Sequence, residues 1–147
     1  VADLALPCEA CGGARYRPEV LDVRVGGRNV ADVLALPATQ VLADEETAGS
    51  GLRDAARALE RFGLGHLSLG RRTATLSGGE RRRLSLAAAT ATLRAPALLA
   101  LDDPAVGLSD ADVAALAAAL GGLAAEGHLI GATGDRAPLR EAATLTA

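Results

Sequence analysis

The 147-residue chain has no lysine, methionine or tryptophan, and only one phenylalanine and one tyrosine. All 15 basic residues are therefore arginine, and the phosphate-cradling motif GxxxxGK[ST] is impossible anywhere in it. With so few aromatics there is no platform for stacking nucleic-acid bases, and the core must be built from small side chains. No apolar run approaches the roughly 18 residues of a membrane-spanning helix, and no charged-then-apolar leader is present. A cytoplasmic protein with no membrane partner is expected. The only two cysteines, Cys8 and Cys11, read in a reducing compartment as metal ligands or free thiols rather than as a structural disulfide. A net charge of -3 gives no global attraction for nucleic acid, so any such surface would be local. The first residue is Val1. A processed start, an alternative start codon and a piece of a longer chain would all look like this. Internal repeats and low-complexity tails are also missing.

Half of the residues are apolar, enough to bury a core at a length that suits one domain or part of one. Residues 1–19 are loop-rich. Leu21, Val23 and Val25 alternate with Asp22 and Arg24, which predicts a strand ended by Gly26-Gly27. Residues 30–36 suggest a short helix stopped by Pro37, and 37–50 a loop or weak helix. Leu52, Ala55, Ala56, Leu59 and Phe62 have helical spacing, with Gly63 as the C-terminal cap. A connector over 63–75 leads to a helix from Ser77 to about Leu93. Ala97–Leu101 and Leu129–Ala132 read as short buried strands. Between them lies a helix capped by Ser109 or Asp110, with Val113, Leu116, Leu120 and Leu123 on one face and Gly127 closing it. Helix, strand, helix, strand in that order implies an α/β layer with parallel strands. If no further strands cover them, the sheet edges would promote association. His66 reads as structural or exposed, and His128 as a surface residue.

Two segments carry chemistry. Leu76-Ser77-Gly78-Gly79-Glu80 places two glycines at a helix N-terminus, where unpaired N–H groups and the helix dipole attract anions. Ser77 and Glu80, three apart, form a capping box. Arg81, Arg82 and Arg83 follow at once. Cations in a first turn oppose the dipole, at a cost of roughly 0.3–1 kcal/mol each, and an anion shared there would explain them. An ordinary capped helix with a solvated arginine face fits equally well. Further on, the apolar run 97–101 ends in Asp102-Asp103-Pro104. Ligands of open parallel sheets bind beyond the carboxyl ends of strands. There Asp102 is suited to hold Mg²⁺ and Asp103 to orient or deprotonate a water. Alternatively, the pair simply caps the next turn.

LSGGE followed by an apolar strand ending in LDDP resembles the ABC signature plus Walker B. Residues 8–34 (CEACGGARYRPEVLDVRVGGRNVADVL) resemble the second half of the UvrA C-terminal zinc module and the segment after it. Residues 63–87 (GLGHLSLGRRTATLSGGERRRLSLA) are similar to the approach to the UvrA signature helix. The resemblance spans nearly the whole chain, most closely down to about Leu108. It implies a partial ABC-type, P-loop NTPase-like parallel sheet over 76–147. A helical connector at 37–75 would precede it, and a remnant of the zinc module at 1–36 would precede that. It further implies an ATPase component of nucleotide excision repair in the DNA-damage (SOS) response, with ATP and Mg²⁺ as cofactors. Its partners would be double-stranded damaged DNA, other excision-repair subunits, and a P-loop-bearing segment or second copy. By matched position, Leu76 to Glu80 would contact the γ-phosphate of an ATP held on an opposing half. Asp102 would serve Mg²⁺, Asp103 would stand where the family has its catalytic glutamate, and Cys8 and Cys11 would be two of four zinc thiolates. Arg15, Arg17, Arg24 and Arg28 could meet DNA phosphates, or be a solvated face.

The chain departs from the family pattern in four places. The P-loop, which in the family lies upstream of the zinc module, is absent. There is one CxxC, where a closed zinc site takes four ligands. Asp103 is one methylene shorter than glutamate and would fall about 1 Å short of the water. The switch histidine is missing, with Gly134 near its place. Three readings compete on this basis. One is a repair ATPase completed by another segment. Another is a non-catalytic binding module or drug-resistance paralogue. The third is a small CxxC thiol protein, which the placement of CEAC in a loop argues against.

Overall fold

The computed structural model describes residues 8–44, 46, 49–134, 136–142 and 145–146. The loop-rich opening before Cys8, part of the 37–50 stretch and Asp135 of ATGD lie outside them.

Helix α1 (Pro18–Leu21) is a single turn with proline in its first turn, where a missing N–H costs nothing. The strand expected over Leu21–Val25 does not form. Val23 and Val25 are 67% and 56% exposed, and only Val25 makes a bridge, to Arg28 across the Gly26-Gly27 turn. Alternation makes a strand only when a neighbour pairs with it and one face is buried, and neither condition is met. Helix α2 (Val30–Ala35) opens on an Asn29–Asp32 capping box. Pro37 then starts α3 (Ala38–Ala43), which the sequence suggested only as loop or weak helix. Helix α4 (Ser50–Arg61) packs against α3 through Ala38, Val41 and Ala56.

The connector after Gly63 runs back along this pair. Ala38 N–H donates to Leu67 O and Leu69 N–H to Leu36 O. It delivers Leu76 to a small cluster with Leu64 and Leu67. Helix α5 (Gly78–Thr90) follows, then β1 (Leu98–Leu101), α6 (Asp110–Ala125), β2 (Leu129–Ala132), α7 (Ala137–Ala142) and β3 (Leu145–Thr146). The strands form one parallel sheet in the order β1-β2-β3, with Leu99 beside Ile130 and Leu101 beside Ala132. Helix α7 and strand β3 were not anticipated from the sequence.

Leu116, Leu120 and Leu123 of α6 are fully buried with Phe62 and Ile130. Leucine, rather than alanine, therefore fills the centre. Leu98 and Leu129, side by side in register, face the other way and are 66% and 49% exposed. His128 departs from its surface expectation: it is 6% exposed, and its Nδ1 is buried without a partner. Gly127 ends α6 with φ of 93° and turns the chain inward, so His128 N–H donates to Leu123 O and the ring goes beneath the helix end.

Candidate nucleotide site

The first candidate segment forms an open helix start. Ser77 Oγ accepts from Glu80 N–H at 3.1 Å, and a Glu80 carboxylate oxygen accepts from Ser77 N–H at 2.7 Å. Its other oxygen lies 3.4 Å from His66 Nε2. The Ser77 N–H bond, chiefly, holds the Glu80 carboxyl below its usual range; burial opposes it, and His66, the Ser77 side chain and the charge of Arg71 each give less help. Arg81 N–H is taken by Ser77 O. Among the described residues nothing accepts from the N–H groups of Gly78 and Gly79. Ser77 and Gly78 are exposed, and a side chain at Gly78 would meet nothing within 4 Å. Leu76 lies beneath, buried.

Gly79 is small for a different reason. A Cβ there would come within 2.9 Å of an Asp112 carboxylate oxygen. Asp112 holds the buried Arg83 at 2.6 Å, and Arg83 also donates to Phe62 O at 3.1 Å. Arg82 donates to Asp103 O at 2.7 Å. The arginine run therefore does not gather around a shared anion, as the dipole argument suggested. Nor is it a solvated face, because two of its three members are tied to this chain's own backbone.

The Arg82 bond joins the second turn of α5 to the acid-bearing turn after β1. Asp102 and Asp103 emerge at the carboxyl end of the parallel strands, beside Thr133 at the end of β2. The Thr133 hydroxyl donates to Asp102 at 2.7 Å and accepts from Asp103 N–H at 2.8 Å. Asp103 has φ of +36°, in the left-handed region that side-chain-bearing residues rarely occupy. Arg82, Ser85, Leu86, Ala100, Leu101, Asp102 and Pro104 line a cleft of about 220 Å³ beside the turn. Thr133 was missed in the sequence. The available signal was its place, directly after a buried parallel strand.

Comparison with known proteins places the chain in a family. The family model described as "ABC transporter" matches residues 24–106, more than half of the chain. The chain belongs to the ABC transporter family and is UvrA-like. It is 37% identical over 131 residues to UvrABC system protein A of Streptomyces coelicolor, covering 87% of this chain and 13% of the relative. With the Thermus thermophilus protein of the same name the identity is 40% over 121 residues, or 72% of this chain and 13% of that one. The crystal structure of UvrA2 from Deinococcus radiodurans superposes with a TM-score of 0.72 at 37% identity, over 93% of this chain and 17% of that one. The UvrA-like chain thus spans about an eighth of the length of these relatives. No helix among its described residues is long and apolar enough to cross a membrane.

The residues present suit a nucleotide phosphate and its Mg²⁺. The start of α5 offers two unpaired N–H groups, an exposed hydroxyl and open space, while the sheet end offers an exposed Asp102 carboxylate. Gly134, near where the resemblance expects the switch histidine, has little room for a side chain. Gly134 has φ of 120°, and a Cβ there would stand 3.1 Å from the Asp103 carboxylate.

Cys8 and Cys11 lie in a turn, one exposed and one half-buried. The Gly13 and Arg15 N–H groups, chiefly, lower the Cys11 pKa against the opposing effect of burial, with smaller help from the Cys8 thiol and Ala14 N–H. Turns that aim amides at sulfur suit a thiolate metal ligand. However, among the described residues no third His, Cys, Asp or Glu joins the pair. Two thiolates are half of a tetrahedral zinc site.

Proposed function

We propose that this UvrA-like chain supplies the signature helix and the acidic strand end of a composite ATP site in a nucleotide-excision-repair ATPase of the cytoplasm. A segment elsewhere, or a second copy, carries the P-loop. One observation carries the reading: the unpaired N–H groups of Gly78 and Gly79 stand open beside the Ser77 hydroxyl on a helix bonded through Arg82 to the Asp102–Asp103 turn. Ser77 Oγ–H and the two amides would donate to a terminal phosphate. The Asp102 carboxylate, held by Thr133, would take Mg²⁺. The Asp103 carboxylate would accept a proton from the attacking water. Bound Mg²⁺ would neutralise phosphate charge as it develops. Damaged double-stranded DNA and other excision-repair subunits are the partners this reading implies. Cys8 and Cys11 would contribute half of a zinc site completed by two further thiolates.

The test mixes the purified chain with a polypeptide carrying the P-loop half of a UvrA relative and measures Mg²⁺-dependent ATP hydrolysis. Turnover well above that of either component is expected, and it should be abolished by Gly78→Asp, which places a carboxylate where the phosphate would sit. If ATP neither drives association nor is hydrolysed, the composite-site reading is wrong. Asp103 in place of glutamate and Gly134 in place of histidine favour a second reading, a binding module or drug-resistance paralogue that associates with ATP but does not turn it over. Association without hydrolysis, unchanged by Asp103→Glu, is its signature.

A further inference from the structure

The turn after β1 contains an unusual arrangement. Asp103, which has a β-carbon, sits at φ of +36°. Such conformations are strained for a residue with a side chain and persist only when their surroundings over-determine them. Two side chains from different elements do so here. The Thr133 hydroxyl accepts from Asp103 N–H at 2.8 Å, and the Arg82 guanidinium donates to Asp103 O at 2.7 Å. The same hydroxyl spends its proton on Asp102 at 2.7 Å, so one oxygen fixes the backbone of one acid and the carboxylate of the other. A third constraint is steric. Gly134 leaves room for the Asp103 carboxylate, which a Cβ would approach to 3.1 Å.

Resting on the composite-site reading above, we propose that Thr133 and Arg82 are positioning residues that clamp Asp103 from both sides of its backbone. The geometry of the acid pair is thereby set jointly by the end of β2 and the second turn of the signature helix. Thr133 bonds both acids at once, so Mg²⁺ and water geometry are fixed together. Arg82 lies on the helix whose first turn would meet the phosphate, so engagement of Ser77–Gly79 is transmitted to Asp103 through one bond. Neither residue touches the nucleotide.

The clamp is tested first without nucleotide, by hydrogen exchange at the Asp103 amide. In the unmodified chain this amide is expected to be protected. Thr133→Val, which removes the hydroxyl and keeps the shape, should speed exchange about tenfold, whereas Thr133→Ser should preserve protection. An unprotected Asp103 amide in the unmodified chain, or one indifferent to Thr133→Val, overturns the clamp whatever the ATPase does. The second measurement uses the chain mixed with the P-loop-bearing half. Thr133→Val and Arg82→Gln should each lower kcat at least tenfold, with the KM for ATP within about twofold and the melting temperature little changed. Thr133→Ser should restore kcat. An active unmodified mixture whose kcat ignores both substitutions overturns the positioning role. A protected amide in a mixture that neither binds nor hydrolyses ATP overturns the function proposed above and leaves the clamp standing.

Discussion

Between Cys8 and Leu36 only Asn29 is buried, whereas from Phe62 to Leu139 thirteen residues form one continuous apolar cluster. The first region is stitched by polar contacts: the Asn29–Asp32 capping box, the Arg24–Asp32 pair at 3.4 Å, and an Arg15 bond to the Gly70 carbonyl. An exposed pair such as Arg24–Asp32 contributes about 0–1 kcal/mol, and a helix cap roughly 0.5–2 kcal/mol. A buried leucine contributes roughly 1.5–3 kcal/mol through its removal from water alone. The segment resembling a zinc-module remnant therefore follows the rest of the molecule, and the segment bearing the candidate site is the one whose packing is cooperative. A site that needs side chains fixed to within half an ångström is served by the second kind of region.

Cutting each region in turn tests this contrast. The largest effect is expected at its centre. Leu120→Ala, at a residue with no exposure, should lower unfolding free energy by roughly 2–5 kcal/mol in urea titration, and a loss below 1 kcal/mol would mean that the cluster is not the cooperative core. Next comes the buried ion pair. Asp112→Ala strands Arg83, whose side chain is 9% exposed, and should cost about 3 kcal/mol. Arg24→Ala, the equivalent cut in the first region, should cost under about 1 kcal/mol. Equal losses would erase the distinction.

A pH series probes the open end of α5. The Ser77 N–H bond holds the folded Glu80 carboxyl below the usual glutamate range, so its stabilisation is complete above that range and is lost as pH falls through the folded value. Thermal melts of Glu80→Gln and the unmodified chain should therefore converge as the pH is taken below the ordinary glutamate range. A gap that widens on acidification would mean the carboxylate does not cap the helix. The smallest effect belongs to Val23→Ser. Its expected change of less than about 0.5 kcal/mol in chemical denaturation becomes a test of the absent strand, since a residue paired in a half-buried sheet would cost more.

Much of this was legible in the sequence where the signal was short-range. The Ser77–Glu80 box, the α6 face of Val113, Leu116, Leu120 and Leu123, and the strands β1 and β2 depend on residues within a few positions of one another, and all formed, although the two strands, expected to be buried, leave Leu98 and Leu129 exposed. The misreadings share a cause. The 21–25 alternation is a local pattern that needs a partner strand to become structure. His128 reads as a surface residue in its local window, but it is buried after the turn at Gly127. The arginines after Gly79 offer, within their own window, only an anion at the helix start or a solvated face, while Phe62 and Asp103, each 21 residues away from the arginine that binds it, take two of them.

The amino-acid order alone determined the chemical vocabulary: no lysine for a P-loop, glycines bare of side chains at a capped helix start, and two carboxylates after an apolar strand. Tertiary structure decided how those groups are held, because the Thr133–Asp102 bond spans 31 residues and the conformation of Asp103 depends on partners from β2 and α5. Nothing in a local window encodes such distances. They exist only once the parallel strands lie side by side and α6 has brought Asp112 against Gly79 and Arg83.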